Sequence, residues 1–280
     1  MVYGKTFEEV SKLSKPEKVE TPFGYKKNVI SEPSFSLQVW EFTKKKQNTE
    51  ELKTDFQYFE DCIIFFYVEE GTIIISKLTD RKGGIETIKL EKGNVLFIPQ
   101  GLVHRITGTE NTLVYLFSNK NLDKSIKFVN RINISNFNIK LGYKFVLKKT
   151  SNVLDKYWGK IETIFSDEFT GKRLSMKPGV VGSLEYHINK TEAYFIQSGK
   201  LAVILRTGRA KDKPLILNTG ESFVIHPGTM HRRIALKDTV LIEVSTKDDD
   251  TDSNLVDDGQ KYLNNEELKN SYLKEIGLKL

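Results

Sequence analysis

The chain has 280 residues, 39% of them hydrophobic and 11% aromatic, which is enough for two modest domains with packed cores. No apolar run approaches the ~20 residues that span a bilayer, MVYGKTFEEVSKLSKPEK carries no secretory apolar stretch, and the single cysteine, Cys62, makes neither an internal disulfide nor a cysteine-based zinc site. The net charge of +6 comes from 43 Lys+Arg against 37 Asp+Glu, spread along the chain with Lys44, Lys45 and Lys46 as the densest run; without a basic, aromatic-interleaved face, no nucleic-acid or membrane partner is expected, only a mild attraction for small anions in a reducing cytoplasm.

In chain order, residues 56–118 predict short strands: Cys62–Val68 (CIIFFYV), Thr72–Leu78 (TIIISKL) and Val95–Pro99 (VLFIP). They are rich in Ile, Val, Phe and Tyr, and Gly, Asn, Asp or Pro punctuate them. Residues 160–246 repeat the style at Tyr194–Ile196, Ala202–Leu205, Leu215–Leu217, Ser222–Ile225 and Val240–Val244. No strand alternates with a long amphipathic helix, so the class is all-β, a sandwich or barrel rather than a parallel sheet. Cys62, inside an apolar strand, reads as an inert core residue. Trp158 and Tyr157 read as packing between copies.

An internal repeat organises the chain. Gly93–His104 (GNVLFIPQGLVH) and Gly220–His231 (GESFVIHPGTMH) share one pattern, 127 residues apart. Upstream, VEEGTIIISKL (68–78) aligns with IQSGKLAVILR (196–206), and DFQYF (55–59) with SLEYH (183–187). The expected domains are residues 20–135 and 152–248, joined near 135–152. A polar, acidic segment and a short helix follow over 249–280. On that helix Leu268, Tyr272 and Ile276 form one apolar stripe.

Only four histidines occur: His104, His187, His226 and His231. Residues two apart on a strand share a face, so Glu185 and His187 point the same way. Glu192 opens the next strand and His231 a later one. If the strands close on themselves, these four side chains converge as a shell for a divalent ion. His226 reads as a rim residue. In the first copy Phe59 and Ile64 stand where His187 and Glu192 stand in the second. Gln57 and His104 alone stay polar there, so that copy is expected to be structural and metal-free.

Gly-x5-Pro-x-Gly-x2-His resembles the second motif of the cupins, and Gly93–His104 matches it in full. Glu185-x-His187-x4-Glu192-x6-Gly199 resembles their first motif, with Glu for the first His. The chain therefore looks like a bicupin over residues 20–248, which implies two tandem double-stranded β-helix, or jelly-roll, barrels. WGK (158–160), KRLSMKPG (172–179), SLEYHINKTEAYFIQSGK (183–200) and DTVLIEVST (238–246) resemble the cupin-type (type II) mannose-6-phosphate isomerases. That resemblance implies a divalent metal on Glu185, His187, Glu192 and His231. Zn leads, with Fe, Mn or Ni as alternatives. It also implies Glu185 as a proton carrier, Lys190 as a phosphate or hydroxyl contact, and a homodimer. The expected activity is aldose–ketose isomerisation of a sugar phosphate or similar anion. The alternatives are an Fe/Mn-dependent dioxygenase or decarboxylase, and a non-catalytic small-molecule binder.

Overall fold

The computed structural model describes residues 6–43, 52–109, 111–129, 142–150 and 152–279; the Lys44–Lys46 run and part of the expected joint lie outside them. The N-terminal part holds α1 (Phe7–Val10), β1 (Leu13–Ser14), β2 (Val19–Thr21), β3 (Gly24–Ser31), β4 (Ser36–Phe42), β5 (Gln57–Phe59), β6 (Ile64–Glu70), β7 (Thr72–Leu78), β8 (Ile85–Glu91), β9 (Asn94–Ile98), β10 (His104–Gly108), β11 (Thr112–Ser118), α2 (Leu122–Ser125), β12 (Ile126–Phe128) and β13 (Leu147–Lys149). The remainder holds β14 (Asn152–Lys156), β15 (Gly159–Ser166), β16 (Phe169–Met176), β17 (Leu184–His187), β18 (Glu192–Ser198), β19 (Lys200–Arg206), β20 (Lys213–Asn218), β21 (Ser222–Ile225), β22 (Met230–Ala235), β23 (Thr239–Thr246), β24 (Ser253–Asp257) and α3 (Glu266–Glu275).

Two compact units result, one spanning Glu17–Ser151, the other joining the residues up to Pro16 to Asn152–Leu280. In each, a seven-stranded and a five-stranded antiparallel sheet enclose a core. The first unit has the orders β13-β9-β6-β11-β4-β3-β2 and β12-β5-β10-β7-β8. The second has β1-β21-β18-β23-β16-β15-β14 and β20-β19-β22-β17-β24. This is the all-β jelly-roll pair expected from the sequence. The place of β1 is not legible in the repeat: it precedes the first barrel in the chain yet pairs with β21 in the second unit, while β13 closes the first unit by pairing with β9.

The strands form where β-branched and aromatic residues alternate between two buried faces. On β19, Leu201, Val203 and Leu205 fill the core inside the second barrel, while Ala202 and Ile204 face an outer cluster. The turn into β19 demands Gly199, at φ +93°, where a Cβ would come within 2.2 Å of the Asp238 carbonyl oxygen. Gly71 makes the matching turn in the first unit, against Thr112.

The C-terminal residues are integral to the second unit. Strand β24 pairs with β17. Helix α3 starts at Asn265, whose side chain accepts the Leu268 N–H at 2.9 Å. It buries Leu273 and Ile276 against Ala202, Ile204 and Ile234. Leu268, expected on that stripe, is exposed; the apolar face is rotated onto Leu273. Trp158 lies in the core of the second barrel, with Tyr157 packed against it. Cys62 is a free, buried thiol in the core of the first. No helix among the described residues is long and apolar enough to cross a membrane.

Candidate metal centre

Strands β17 and β22 pair so that Glu185 lies directly opposite His231, and His187 follows two residues on along the same face. Glu185, His187 and His231 thereby bring one ligand atom each to within 4.8 Å of one another. His187 Nδ1 donates to the Asp252 carbonyl at 3.0 Å, and His231 Nδ1 to the Thr229 carbonyl at 3.1 Å. Each of these bonds fixes the tautomer and turns the Nε2 lone pair inward, the arrangement metal-binding imidazoles adopt. His231 Nε2 is buried with no hydrogen-bond partner. It lies 2.8 Å from Glu192 Oε1 without the alignment of a hydrogen bond. Two imidazoles and a carboxylate, with one nitrogen orphaned in the interior, fit a divalent ion.

Glu192 comes from the opposite sheet and stands beside this trio, 3.7 Å from His187 Nε2. Its carboxylate accepts the Tyr194 hydroxyl at 2.5 Å and pairs with Lys190 at 3.0 Å. Burial pushes this carboxyl up, but Lys190 and His231 outweigh it and hold the group well below the ordinary range. Glu185 behaves alike: burial raises it, and Arg233 and His231 prevail, so it stays ionised. Burial lowers His231, yet the Glu192 carboxylate turns the balance upward.

Lys190 was expected to meet a substrate phosphate or hydroxyl. Its ammonium is buried and committed to three carboxylates, Glu192, Glu243 at 3.2 Å and Asp248 at 3.1 Å. Three donors meet three acceptors, so its role in this structure is charge balance.

Arg233, Lys172, Glu243 and Asp248 also belong to the site, although no motif in the sequence singles them out. Arg233 Nη2 lies 3.0 Å from Glu185 Oε1, and its Nη1 lies 3.6 Å from Glu243. Its guanidinium stacks over Trp158 and Tyr194, at 5.5 and 5.6 Å. The signal was present: Arg233 is two residues past His231 and shares its face. Arg232 points the other way, to Asp257, Tyr262 and Tyr272. Lys172, on β16, pairs with Asp248 and stands 3.7 Å from Glu243. An open cavity of about 370 Å³ exposes this network; Trp158, Lys172, Glu185, His187, Arg233 and Glu243 help line it. Its size suits a small molecule. His226 is exposed on the preceding turn.

The first barrel keeps the frame of this site with different chemistry. His104 pairs in register with Gln57, and its Nδ1 lies 2.9 Å from the Leu102 carbonyl. Phe59 and Phe66 pack on the ring at 5.3 and 6.1 Å. Burial lowers the His104 pKa to about 4, despite the bond to Leu102.

No protein-family model matches the sequence, and no curated protein sequence does. Solved structures of similar shape include the oxalate decarboxylase of Bacillus subtilis. One, from a study of its Mn(II) centres, is 13% identical with a TM-score of 0.64, covering 86% of this chain and 77% of that one. An arginine-to-alanine variant of the same enzyme is 13% identical with a TM-score of 0.64, covering 94% and 82%. A likeness at this identity speaks for the fold alone, two tandem jelly-roll barrels.

Proposed function

We propose that the second barrel is the divalent-metal centre of a cupin enzyme acting on a small carboxylate, by decarboxylation or dioxygenation, with manganese or iron. The observation that carries this reading is the pair of inward-facing imidazoles, each locked by a backbone carbonyl, beside Glu185. His187 and His231 would hold the ion through Nε2, with Glu185 and the neighbouring Glu192 as carboxylate ligands. Two histidines and a carboxylate with open positions suit Fe(II) or Mn(II). Bound there, the ion supplies a Lewis acid and a one-electron couple.

The chain's own charges point to the substrate. Lys172, Lys190 and Arg233 face Glu185, Glu192, Glu243 and Asp248. Three cations against four carboxylates leave one negative charge in this network, and a divalent ion reverses it; the exposed Lys156, Asp249 and Asp250 on the cavity's rim add one more negative charge, so the loaded site suits a small, singly charged anion at most. Arg233 is the cation best placed to orient it. Its planar fork suits a carboxylate, and aromatic rings and acidic partners hold it rigid. Lys190 and Tyr194 keep Glu192 ionised and fixed.

The sugar-phosphate isomerase reading, with zinc, fits less well. A phosphate dianion needs more positive charge than one divalent ion leaves in this network. Glu185, the expected proton carrier, has both oxygens engaged, one by Arg233 and the other by Ser253 at 2.9 Å. The similar bicupin structures named above also belong to an enzyme whose Mn(II) centres have been studied.

The test is to strip the full chain of metal, reload it with Mn(II), Fe(II) or Zn(II), and follow CO2 release and O2 consumption with monocarboxylates and with oxalate at mildly acidic pH, where part of it is the hydrogen oxalate monoanion. Turnover with Mn or Fe alone is expected. Stoichiometric zinc with turnover of a hexose phosphate would overturn the reading. A chain that takes up no divalent ion would overturn it too.

A further inference from the structure

The acidic stretch after residue 247 reads as a polar tail in the sequence, yet it reaches into the metal centre. Asp252 makes four hydrogen bonds to four consecutive residues. Its main-chain carbonyl takes His187 Nδ1 at 3.0 Å. Its carboxylate accepts the N–H groups of Ile188 at 2.7 Å, Asn189 at 3.0 Å and Lys190 at 2.9 Å. These residues form the loop between β17, which carries Glu185 and His187, and β18, which opens at Glu192. Ser253, the next residue of the tail, donates to Glu185 Oε2 at 2.9 Å.

We propose that Asp252 is a positioning residue of the metal centre, setting the spacing of its ligands from a strap outside the barrel motif. The inference rests on the metal reading of this site. The loop's three N–H groups converge on one carboxylate, Ile188 on Oδ1 and Asn189 and Lys190 on Oδ2, the geometry that takes an anionic acceptor. Asp252 itself is buried. Without its carboxylate, those amides lose their shared acceptor; the Lys190 N–H is buried, where an unmet donor is costly, while the Ile188 and Asn189 amides are half-buried and turn to water. The loop then re-forms around other acceptors, and His187, Lys190 and Glu192 move with it. A loop joining two ligands cannot shift without changing their separation; the main-chain carbonyl that holds His187 stays in any Asp252 variant, so the loss falls at the lower end of the roughly 10–100-fold that outer partners of metal ligands carry. Asp252 touches no reacting atom. Its effect passes through His187 and through the loop.

The experiment uses the full chain stripped of metal and titrated with Mn(II) alone, by calorimetry and by the EPR line shape of the bound ion. Asp252→Ala is expected to bind Mn(II) roughly 10-fold more weakly with an altered line shape. Asp252→Asn keeps one acceptor oxygen and is expected to recover part of the loss; it also serves if the alanine variant fails to fold. The control is Asp80→Ala in the first unit, which removes a carboxylate that accepts the N–H groups of Lys82 and Gly84. That variant loses a loop cap of the same kind and is expected to bind Mn(II) as the wild type does. Wild-type affinity and line shape in a folded Asp252 variant would overturn the proposal alone. Equal losses in the Asp252 and Asp80 variants would also overturn it, by showing a general effect of loosened loops. A wild-type chain that binds no Mn(II) refutes the metal reading itself and takes this proposal with it.

Discussion

Replacing Arg233 by methionine separates substrate binding from metal binding. The side chain is nearly buried and carries the cation nearest Glu185, at 3.0 Å. Its removal leaves Glu185 with Ser253 as its remaining hydrogen-bond donor, whereas Glu243 keeps Lys190 and Lys172. Breaking a buried ion pair from one side costs about 3–5 kcal/mol. Because Glu243 remains paired, the lower end, about 3 kcal/mol, is expected for the metal-free chain. For a unit of this size that lowers the melting midpoint by on the order of 10 °C. Mn(II) at a hundred times its dissociation constant stabilises the wild type by about 2.7 kcal/mol. The variant gains more, because its site carries one more negative charge and the ion replaces the lost cation beside Glu185. Arg233→Met should therefore be destabilised without metal, largely rescued by Mn(II), and devoid of carboxylate turnover. Scanning calorimetry with and without Mn(II), alongside CO2 release, reads all three. A metal-free midpoint like that of the wild type would refute the charge-pairing argument. Wild-type turnover would refute the role of Arg233 in binding the carboxylate.

His187→Ala removes a proposed ligand held on one side by Asp252; elemental analysis is expected to show about one equivalent of divalent ion in the wild type and none in the variant. His104 titrates near 4 in the fold and near 6.5 in the unfolded chain, so the unfolded state binds more protons between those values. Stability of the first unit should be full above pH 6.5, fall by about 3 kcal/mol as pH drops through this window, and level off near pH 4. Trp40 fluorescence in a Trp158→Phe background follows that unit, and His104→Leu should abolish the slope; an unchanged slope sinks the assignment. Gly199→Ala forces a Cβ against the Asp238 carbonyl at a positive φ and should cost at least 1 kcal/mol, read as a lower urea midpoint than that of Gly93→Ala, where a Cβ meets nothing.

The alternation of buried residues and the matched segments Gly93–His104 and Gly220–His231 were enough to establish two copies of an all-β unit, because each strand must present one face to a core whatever its partners are. Period-two spacing placed Glu185 with His187, and it could have placed Arg233 with His231. The tertiary structure decided what the chain's linear order hides. It paired β1 with β21 and β13 with β9, and drew the acidic tail into the sheet beside β17. It spent Lys190 on three carboxylates supplied by β18, β23 and the residues just after it. Local sequence sets which face a side chain takes, since that follows from backbone geometry alone. Which charge stands opposite it depends on strands brought together from as far as 48 or 53 residues away, as for Glu185 with Arg233 and Lys190 with Glu243, and that is settled only when the barrel closes.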